Sequence, residues 1–161
     1  MNETNRSIEI EVLKRKSRRK GLINELVRYV SISEESFLET DKNEEFCKKV
    51  FEKLNIFNNR IKIGGEDYKV NINLSKDYLI NKLSQFTYNE SAIKMLFYRE
   101  YEIEAVSIPL KEVIVQIDKI LEITGFSDGY ADFILVEENL GFGICIEITE
   151  YYYEYVEWSN D

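Results

Sequence analysis

The chain contains no histidine, two cysteines and a single proline. The absence of histidine excludes serine–histidine triads, cysteine–histidine pairs, histidine metal ligands and histidine-based pH switches. The cysteines, Cys47 and Cys145, lie far apart without a CxxC spacing, and each has apolar neighbours. We therefore expect two buried free thiols in a reducing cytoplasm.

Long apolar runs are missing, and so are basic residues after Lys119. No apolar stretch is long enough to span a bilayer, and the first residues do not resemble a signal peptide. We accordingly expect a cytoplasmic protein that does not associate with membranes. Ten acidic residues and no lysine or arginine follow Lys119, so this segment carries the whole imbalance behind the net charge of −9.

Length and composition predict one α+β domain over residues 1–161, with residues 1–7 frayed. The hydrophobic fraction is 44%, and 11 tyrosines and 9 phenylalanines argue against a disordered chain. Helices are expected to pack on a mainly antiparallel sheet that ends in a C-terminal hairpin.

Apolar residues at helical spacing predict several helices. The expected helices are residues 17–30, a helix after the capping-box pair Asp41 and Glu44, short helices capped by Ser75 and Asn89, and a helix from Pro109 to the capping residue Gly125. The helix after Asn89 would carry Ile93, Leu96 and Phe97.

Alternating apolar residues predict strands. The expected strands are residues 8–12, a hairpin over residues 60–74 with its turn at Gly64-Gly65, and residues 101–108. The C-terminal hairpin is expected from Phe133–Val136 and Ile144–Ile148, with the isoleucines facing the core. Continuing the alternation leaves neither face apolar, which predicts a bulge, a bend or a third strand near Glu150.

The C-terminal hairpin contains two short motifs, ADFIL at Ala131–Leu135 and CIEIT at Cys145–Thr149. In degenerate form they resemble the core of the PD-(D/E)xK nucleases. The resemblance implies that Asp132 and Glu147 hold a divalent metal ion while a lysine positions the attacking water. Thr149 stands where that lysine is required, and Ala131 replaces the proline, so we expect no hydrolysis of DNA or RNA.

Other motifs indicate no metal or cofactor. Asp128-Gly129 is interpreted as a turn, because SDGYAD at 127–132 lacks the spacing of a calcium loop. Gly141 and Gly143 lack the third glycine and the following helix of a phosphate-binding loop. We predict neither a catalytic residue nor a metal site, and no cofactor.

The basic cluster Lys14–Lys20 allows three interpretations. It can be a solvated helix face, a contact for nucleic acid or anionic lipid, or a partner of the acidic C-terminal residues. No aromatic residue is interleaved with the basic residues, and the acidic remainder of the chain repels polyanions, so nucleic acid is the weaker interpretation.

Tyrosines and acids alternate near the C-terminus without any cation. The candidate partner-binding residues are Glu147, Glu150, Tyr151, Tyr153, Glu154, Tyr155 and Glu157. Tyrosines are common interface anchors, and carboxylates steer basic partners, although a solvated sheet face would show the same pattern. We expect a non-enzymatic inhibitor of a basic protein, of the toxin-immunity or phage anti-defence type, with a nuclease-like domain as the alternative.

Overall fold

The computed structural model describes residues 2–57, 59–85 and 93–159. Its helices are α1 (Glu3–Leu26), α2 (Thr40–Ile56), α3 (Tyr68–Ser84), α4 (Leu110–Val115) and α5 (Ile117–Thr124). Its strands are β1 (Ile61–Ile63), β2 (Ile93–Arg99), β3 (Glu102–Ile108), β4 (Phe133–Glu137), β5 (Phe142–Ile148) and β6 (Tyr153–Ser159). A short 3-10 turn, Glu34–Ser36, precedes α2. The predicted α+β class is confirmed.

The six strands form one antiparallel sheet in the order β1-β6-β5-β4-β2-β3. The predicted C-terminal hairpin is β4 and β5, in which Phe133 pairs with Ile146. The change predicted near Glu150 is the turn that leads into a third strand, β6. Because β6 lies between β5 and β1, it is an interior strand of the sheet.

Helices cover both faces of this sheet. On one face, Leu22 of α1, Leu79 of α3 and Ile120 of α5 join the odd-numbered residues of β4 in one core. On the other face, Val50 and Leu54 of α2 pack in a second core with the even-numbered residues of β4. Burying each large apolar side chain contributes roughly 1.5–3 kcal/mol before chain entropy is subtracted. Most residues of the interior strands are therefore buried on both faces.

The hairpin predicted over residues 60–74 is wrong. Ile61–Ile63 is the edge strand β1, which pairs with β6, but the chain then turns into α3. Asp67 caps this helix, since its carboxylate accepts hydrogen bonds from the backbone N–H groups of Lys69 and Val70. In a second strand, these two N–H groups would have needed a sheet partner; in the helix, the carboxylate of Asp67 accepts from them.

The alternation that suggested a strand in this segment does not mark a buried face. Tyr68, Val70 and Leu74 are about half exposed, at 51%, 48% and 45%. The buried residues of α3 recur at every fourth position: Asn71, Ser75, Leu79 and Leu83. Ser75 is thus a buried residue in the middle of α3 and not the cap of a separate helix.

The first helix is longer than predicted. α1 includes residues 8–12, which were expected to form a strand, and residues 3–7, which were expected to be frayed. It ends at Leu26 and not at Val30. Residues 2–14 are exposed, and a helix satisfies its backbone hydrogen bonds without the neighbouring strand that this segment lacks.

Two further helix predictions need correction. Ile93, Leu96 and Phe97 lie in β2, while Asn89 lies outside the described residues. Residues 93–97 are buried on both faces, and a continuous apolar run looks alike in a helix and in an interior strand. α2 begins at Thr40 without a side-chain cap, so the capping box of Asp41 and Glu44 does not form.

The remaining elements follow the predictions closely. The strand expected over residues 101–108 is β3. The helix expected between Pro109 and Gly125 forms as α4 and α5, which are divided at Gln116. Gly125 ends α5 with a φ of +86°, the left-handed conformation that favours glycine.

Candidate protein-interaction site

The predicted C-terminal patch does not form one surface. Tyr153 and Tyr155 are only 2% and 1% exposed and belong to the core beneath α3 and α5. Both side chains face this core because the odd-numbered residues of β6 point to that side of the sheet. Helices cover the sheet on both faces. Neither side chain can be an interface anchor on this surface, and this part of the prediction is corrected.

Two acids of the predicted patch point to the opposite face of the sheet and share one arginine. Glu147 and Glu154 are directly paired across β5 and β6. Nη1 of Arg60 lies 2.6 Å from Glu147 and 3.3 Å from Glu154, and Nη2 donates to the carbonyl oxygen of Leu54 at 3.2 Å. Burial alone would lower the pKa of Arg60, but these two carboxylates raise it. Arg60 therefore removes the like-charge repulsion expected across the strands.

Glu157 also has local partners. The hydroxyl group of Tyr155 donates to Oε2 of Glu157 at 2.6 Å, and Nζ of Lys82 in α3 lies 3.7 Å from the same oxygen. Of the predicted residues, Glu150, Tyr151 and Glu157 are exposed, and the first two lie at the turn between β5 and β6. The backbone N–H of Thr149 donates to the Tyr152 carbonyl oxygen at 3.0 Å and closes this turn.

The exposed turn forms one wall of a cavity of about 260 Å³. Its lining includes three exposed carboxylate residues, Glu66, Asp128 and Glu150, and no lysine or arginine among the described residues. Tyr68 and the buried Tyr153 also line the cavity. The lining of the cavity is therefore negatively charged.

The polar end of Tyr153 is the unusual feature of this cavity. Its hydroxyl group is buried and has no hydrogen-bond partner among the described residues. Its ring is held by Phe126 in an edge-to-face contact with centroids 5.8 Å apart. Gly129, at φ +75°, lets the loop run close by, and a Cβ atom built there would lie 3.9 Å from the hydroxyl oxygen. Burial is the main cause that raises the pKa of Tyr153, so the hydroxyl stays protonated.

Three exposed tyrosines lie in the cavity lining or next to a lining residue in the chain. Tyr68 is 51% exposed, Tyr130 next to Gly129 is 88% exposed, and Tyr151 next to Glu150 is 59% exposed. We call the following six residues the acidic-tyrosine surface: Glu66, Tyr68, Asp128, Tyr130, Glu150 and Tyr151. The sequence-based patch contained two of them. The other four come from the α3 cap region and from the loop before β4.

One sequence signal for the missed residues was present. The turn predicted at Asp128-Gly129 is confirmed by the positive φ of Gly129, and Tyr130 follows it directly. Glu66 and Tyr68 were missed because their segment was interpreted as a hairpin strand. Asp67, a residue type that commonly caps helices, was the available sequence signal for a helix start.

Asp132 and Glu147, the acids of the nuclease-like motif, lie one position beyond the Phe133–Ile146 pair on neighbouring strands. Oδ1 of Asp132 accepts a hydrogen bond from the backbone N–H of Ile148 at 2.8 Å. Burial first, and then the charge of Glu147, raises the pKa of Asp132, although this hydrogen bond opposes the rise. No group of three or more acidic, thiol or imidazole side chains in the described ranges is arranged to hold a metal ion.

The basic cluster Lys14–Lys20 binds within the molecule, but not to the C-terminal acids. Arg15, Arg18 and Arg19 approach the fully buried carboxylate of Glu104 at 3.8, 3.7 and 3.1 Å. Arg15 also pairs with exposed Glu44 at 3.6 Å. Three of the six basic side chains thus attach α1 to β3, which leaves Lys14, Lys16 and Lys20 exposed.

Across the part of the chain that the structure describes, no helix is both long and apolar enough to cross a membrane.

The comparison that decides the family is a match over residues 22–158, which include all of the acidic-tyrosine surface. The chain belongs to the YxiF protein family. The YxiF match begins after the basic cluster, so the cavity and the sheet lie inside the family region and Lys14–Lys20 lies outside it. No curated protein and no solved structure matches the chain.

Proposed function

We propose that the protein is a small inhibitor that binds a basic protein through the acidic-tyrosine surface and blocks it by occlusion. The observation that carries the proposal is that three exposed carboxylates and the exposed Tyr68 line one cavity, while the exposed Tyr130 and Tyr151 directly follow lining residues in the chain. The target class that fits this chemistry is a basic, nucleic-acid-handling protein. The protein would then serve as an immunity protein against a toxin or as an anti-defence protein, acting in the cytoplasm.

The two residue types of this surface have complementary roles in recognition. Tyrosine side chains provide rigid contact area with a polar end, and they are enriched among residues that dominate binding energies. Carboxylates raise the association rate with a basic partner through long-range attraction. The net charge of −9 extends that attraction beyond the surface itself.

Occlusion requires no catalytic group. A standard interface buries about 800 Å² on each partner, so a surface centred on the cavity is large enough to cover the substrate groove of a small enzyme. This mechanism needs no cofactor, and it agrees with a chain in which histidine is absent.

The test is to remove the charge of the surface without altering its shape. The target is isolated on the immobilised chain, purified, and its binding kinetics are measured with the variant Glu66→Gln, Asp128→Asn, Glu150→Gln. We expect the association rate to fall about tenfold at low salt and the salt dependence to flatten, because the removed charges act mainly on encounter.

A matched control separates local from overall charge. The variant Glu34→Gln, Glu35→Gln, Glu52→Gln loses the same three charges from exposed positions of the 3-10 turn and α2. It should associate much faster than the surface variant. Equal behaviour of the two variants would show that only net charge matters and would contradict the proposed surface.

A second candidate is a divergent or inactive metal-dependent nuclease-like domain. The observation that favours it is the neighbouring placement of Asp132 and Glu147, as the PD-(D/E)xK resemblance implies. Against it, Arg60 already occupies Glu147 at 2.6 Å and would have to leave before a cation could bind. A metal that binds the native state raises the melting temperature. A rise with magnesium or manganese that is lost in Glu147→Gln, together with hydrolysis of DNA or RNA, would favour this candidate.

A further inference from the structure

We propose that the cavity beside the acidic-tyrosine surface receives one lysine or arginine side chain of the basic target, and that the hydroxyl group of Tyr153 is its buried hydrogen-bond acceptor. The inference rests on the proposed function and adds the chemistry of a single recognition pocket to it.

The pocket combines an outer negative charge with an inner neutral acceptor. The carboxylates of Glu66, Asp128 and Glu150 are exposed residues of the lining, whereas Tyr153 is 2% exposed. A cation approaching the pocket is first attracted by the carboxylates, which act over several ångströms. The tyrosine hydroxyl, shielded from bulk water, then offers a short-range polar contact, and its oxygen accepts when the ligand is a cationic N–H donor.

An orphaned hydroxyl group calls for a polar ligand atom, and the acidic lining favours a cationic one. A buried polar group without a partner costs stability, and such groups are rare in folded proteins. The other polar side chains of the inner wall are already satisfied: Asn71 bonds both the N–H and the carbonyl of Gly65, at 2.8 and 2.6 Å, and the hydroxyl of Thr149 donates to the carbonyl oxygen of Tyr152. The polar side-chain group of the inner wall left for a ligand is therefore the hydroxyl of Tyr153, whose oxygen accepts from a lysine or arginine N–H.

Aromatic and aliphatic contacts suit the rest of such a side chain. Tyr68 lies beside Gly129 at the pocket and is half exposed, and a tyrosine ring attracts a guanidinium or ammonium group placed over it. The half-buried side chain of Ile148 gives the methylene stem an apolar wall. A lysine or arginine side chain, with its methylene groups and cationic end, matches a pocket that offers apolar, aromatic and polar contacts.

The experiment uses the full chain and small probes that carry one side chain each. N-acetyl-arginine methylamide and N-acetyl-lysine methylamide are titrated while backbone amide signals are followed by NMR, with N-acetyl-citrulline methylamide as the uncharged control. We expect saturable shifts at Gly129, Thr149 and Glu150 with at least one cationic probe and none with citrulline.

Two conservative variants test the role of the hydroxyl group. Tyr153→Phe should weaken binding of the cationic probe about tenfold, since it removes a hydrogen bond to a charged group. The same variant should melt at or above the temperature of the parent, because the lost hydroxyl had no partner. Tyr155→Phe is the matched control: it loses the bond to Glu157, should melt lower, and should bind the probe as the parent does.

Each outcome decides between the inference and its alternative. Equal binding by Tyr153→Phe and the parent, equal shifts with citrulline, or no saturable shift at the pocket would overturn the inference. If the target still depends on Glu66, Asp128 and Glu150 in that case, the proposed function stands without the pocket. If the probe binds the pocket but the target ignores those three acids, the proposed function fails while the pocket remains.

Discussion

At the scale of single residues, Asp132 carries a charge in an unfavourable place. It is partly buried, its pKa is raised, and Glu147 is a nearby like charge. Because the folded state holds the proton of Asp132 more tightly than the unfolded state does, ionisation of this group lowers stability as pH rises. The backbone N–H of Ile148 needs only an acceptor, which an asparagine oxygen also provides.

We therefore predict that Asp132→Asn raises the melting temperature at pH 7 by about 2–4 °C. The gain should shrink as pH falls through the raised pKa of Asp132, and it should vanish once the carboxyl group is protonated in both states. Melting curves at pH 7 and pH 4 check this, beside Glu52→Gln, which removes one charge from an exposed position of α2. A variant that melts lower than the parent at pH 7 would show that the charge of Asp132 stabilises the fold.

Residue contacts were also the least predictable feature of the candidate site. Sequence analysis identified the acids Glu147 and Glu154, but their partner Arg60 lies 94 positions before Glu154. Glu104 lies in the alternating strand β3, yet it is fully buried beside three arginines of α1. Pairings over such distances depend on the topology of the sheet, and no local pattern contains that information.

At the scale of elements, β5 and β6 are fitted to each other around one glycine. Gly143 pairs with Trp158, and a Cβ atom built on Gly143 would lie 2.1 Å from Cζ2 of the indole ring. The ring is fixed by a stack on Phe57, with centroids 5.8 Å apart, and by its Nε1, which donates to the carbonyl oxygen of Leu140 at 3.0 Å. The indole ring thus has little freedom to move away from an added side chain.

Gly143→Ala should consequently destabilise the protein by about 1–3 kcal/mol, the usual cost of overpacking a core. Trp158 is the only tryptophan, so its fluorescence reports directly on the displaced ring, and its emission should shift to longer wavelength. Gly65→Ala is the matched control, because nothing lies within 4 Å of a Cβ atom built there. Equal melting of the two variants would mean that the indole ring moves aside freely.

Elements were predicted well where a single signal dominated. The residues of β4 and β5 are β-branched or apolar on both sides of a turn, and the apolar spacing between Pro109 and Gly125 left little ambiguity. α3 was missed because its exposed face happens to alternate apolar residues at Tyr68, Val70 and Leu74. The prediction of Tyr153 and Tyr155 as interface anchors was wrong for a different reason. Alternation in β6 shows that the strand has two faces, but it does not show whether the second face meets solvent or a second core.

At the scale of the whole molecule, the two thiols report on its unfolding. Cys145 is 0% exposed and Cys47 is 8% exposed, and both are free, as predicted. Burial is the main cause that raises the pKa of Cys47 to about 11 and the pKa of Cys145 well above its usual range. Both thiols are therefore protonated and covered in the native state.

We predict that a thiol reagent labels neither cysteine rapidly under native conditions at pH 8, since the thiolate is the reactive form. The single-cysteine variants Cys47→Ala and Cys145→Ala separate the two rates. Cys145 should react only through global unfolding, whereas Cys47 on α2 can react through local opening and should react faster. Reaction of either thiol at the rate of the urea-unfolded chain would show that its cover is incomplete.

The interior position of β6 sets the order in which the molecule can assemble during synthesis. β1 leaves the ribosome long before β6, but β6 is the strand to which β1 binds in the sheet. Residues 61–63 therefore lack this sheet partner until β6, about 90 residues later, has been translated. Contacts between residues so far apart in sequence form slowly, and until they form, β1 can pair with other segments or other chains. A chain that stops before β6 would leave β1 without its sheet partner and would open the core on both faces of the sheet at once.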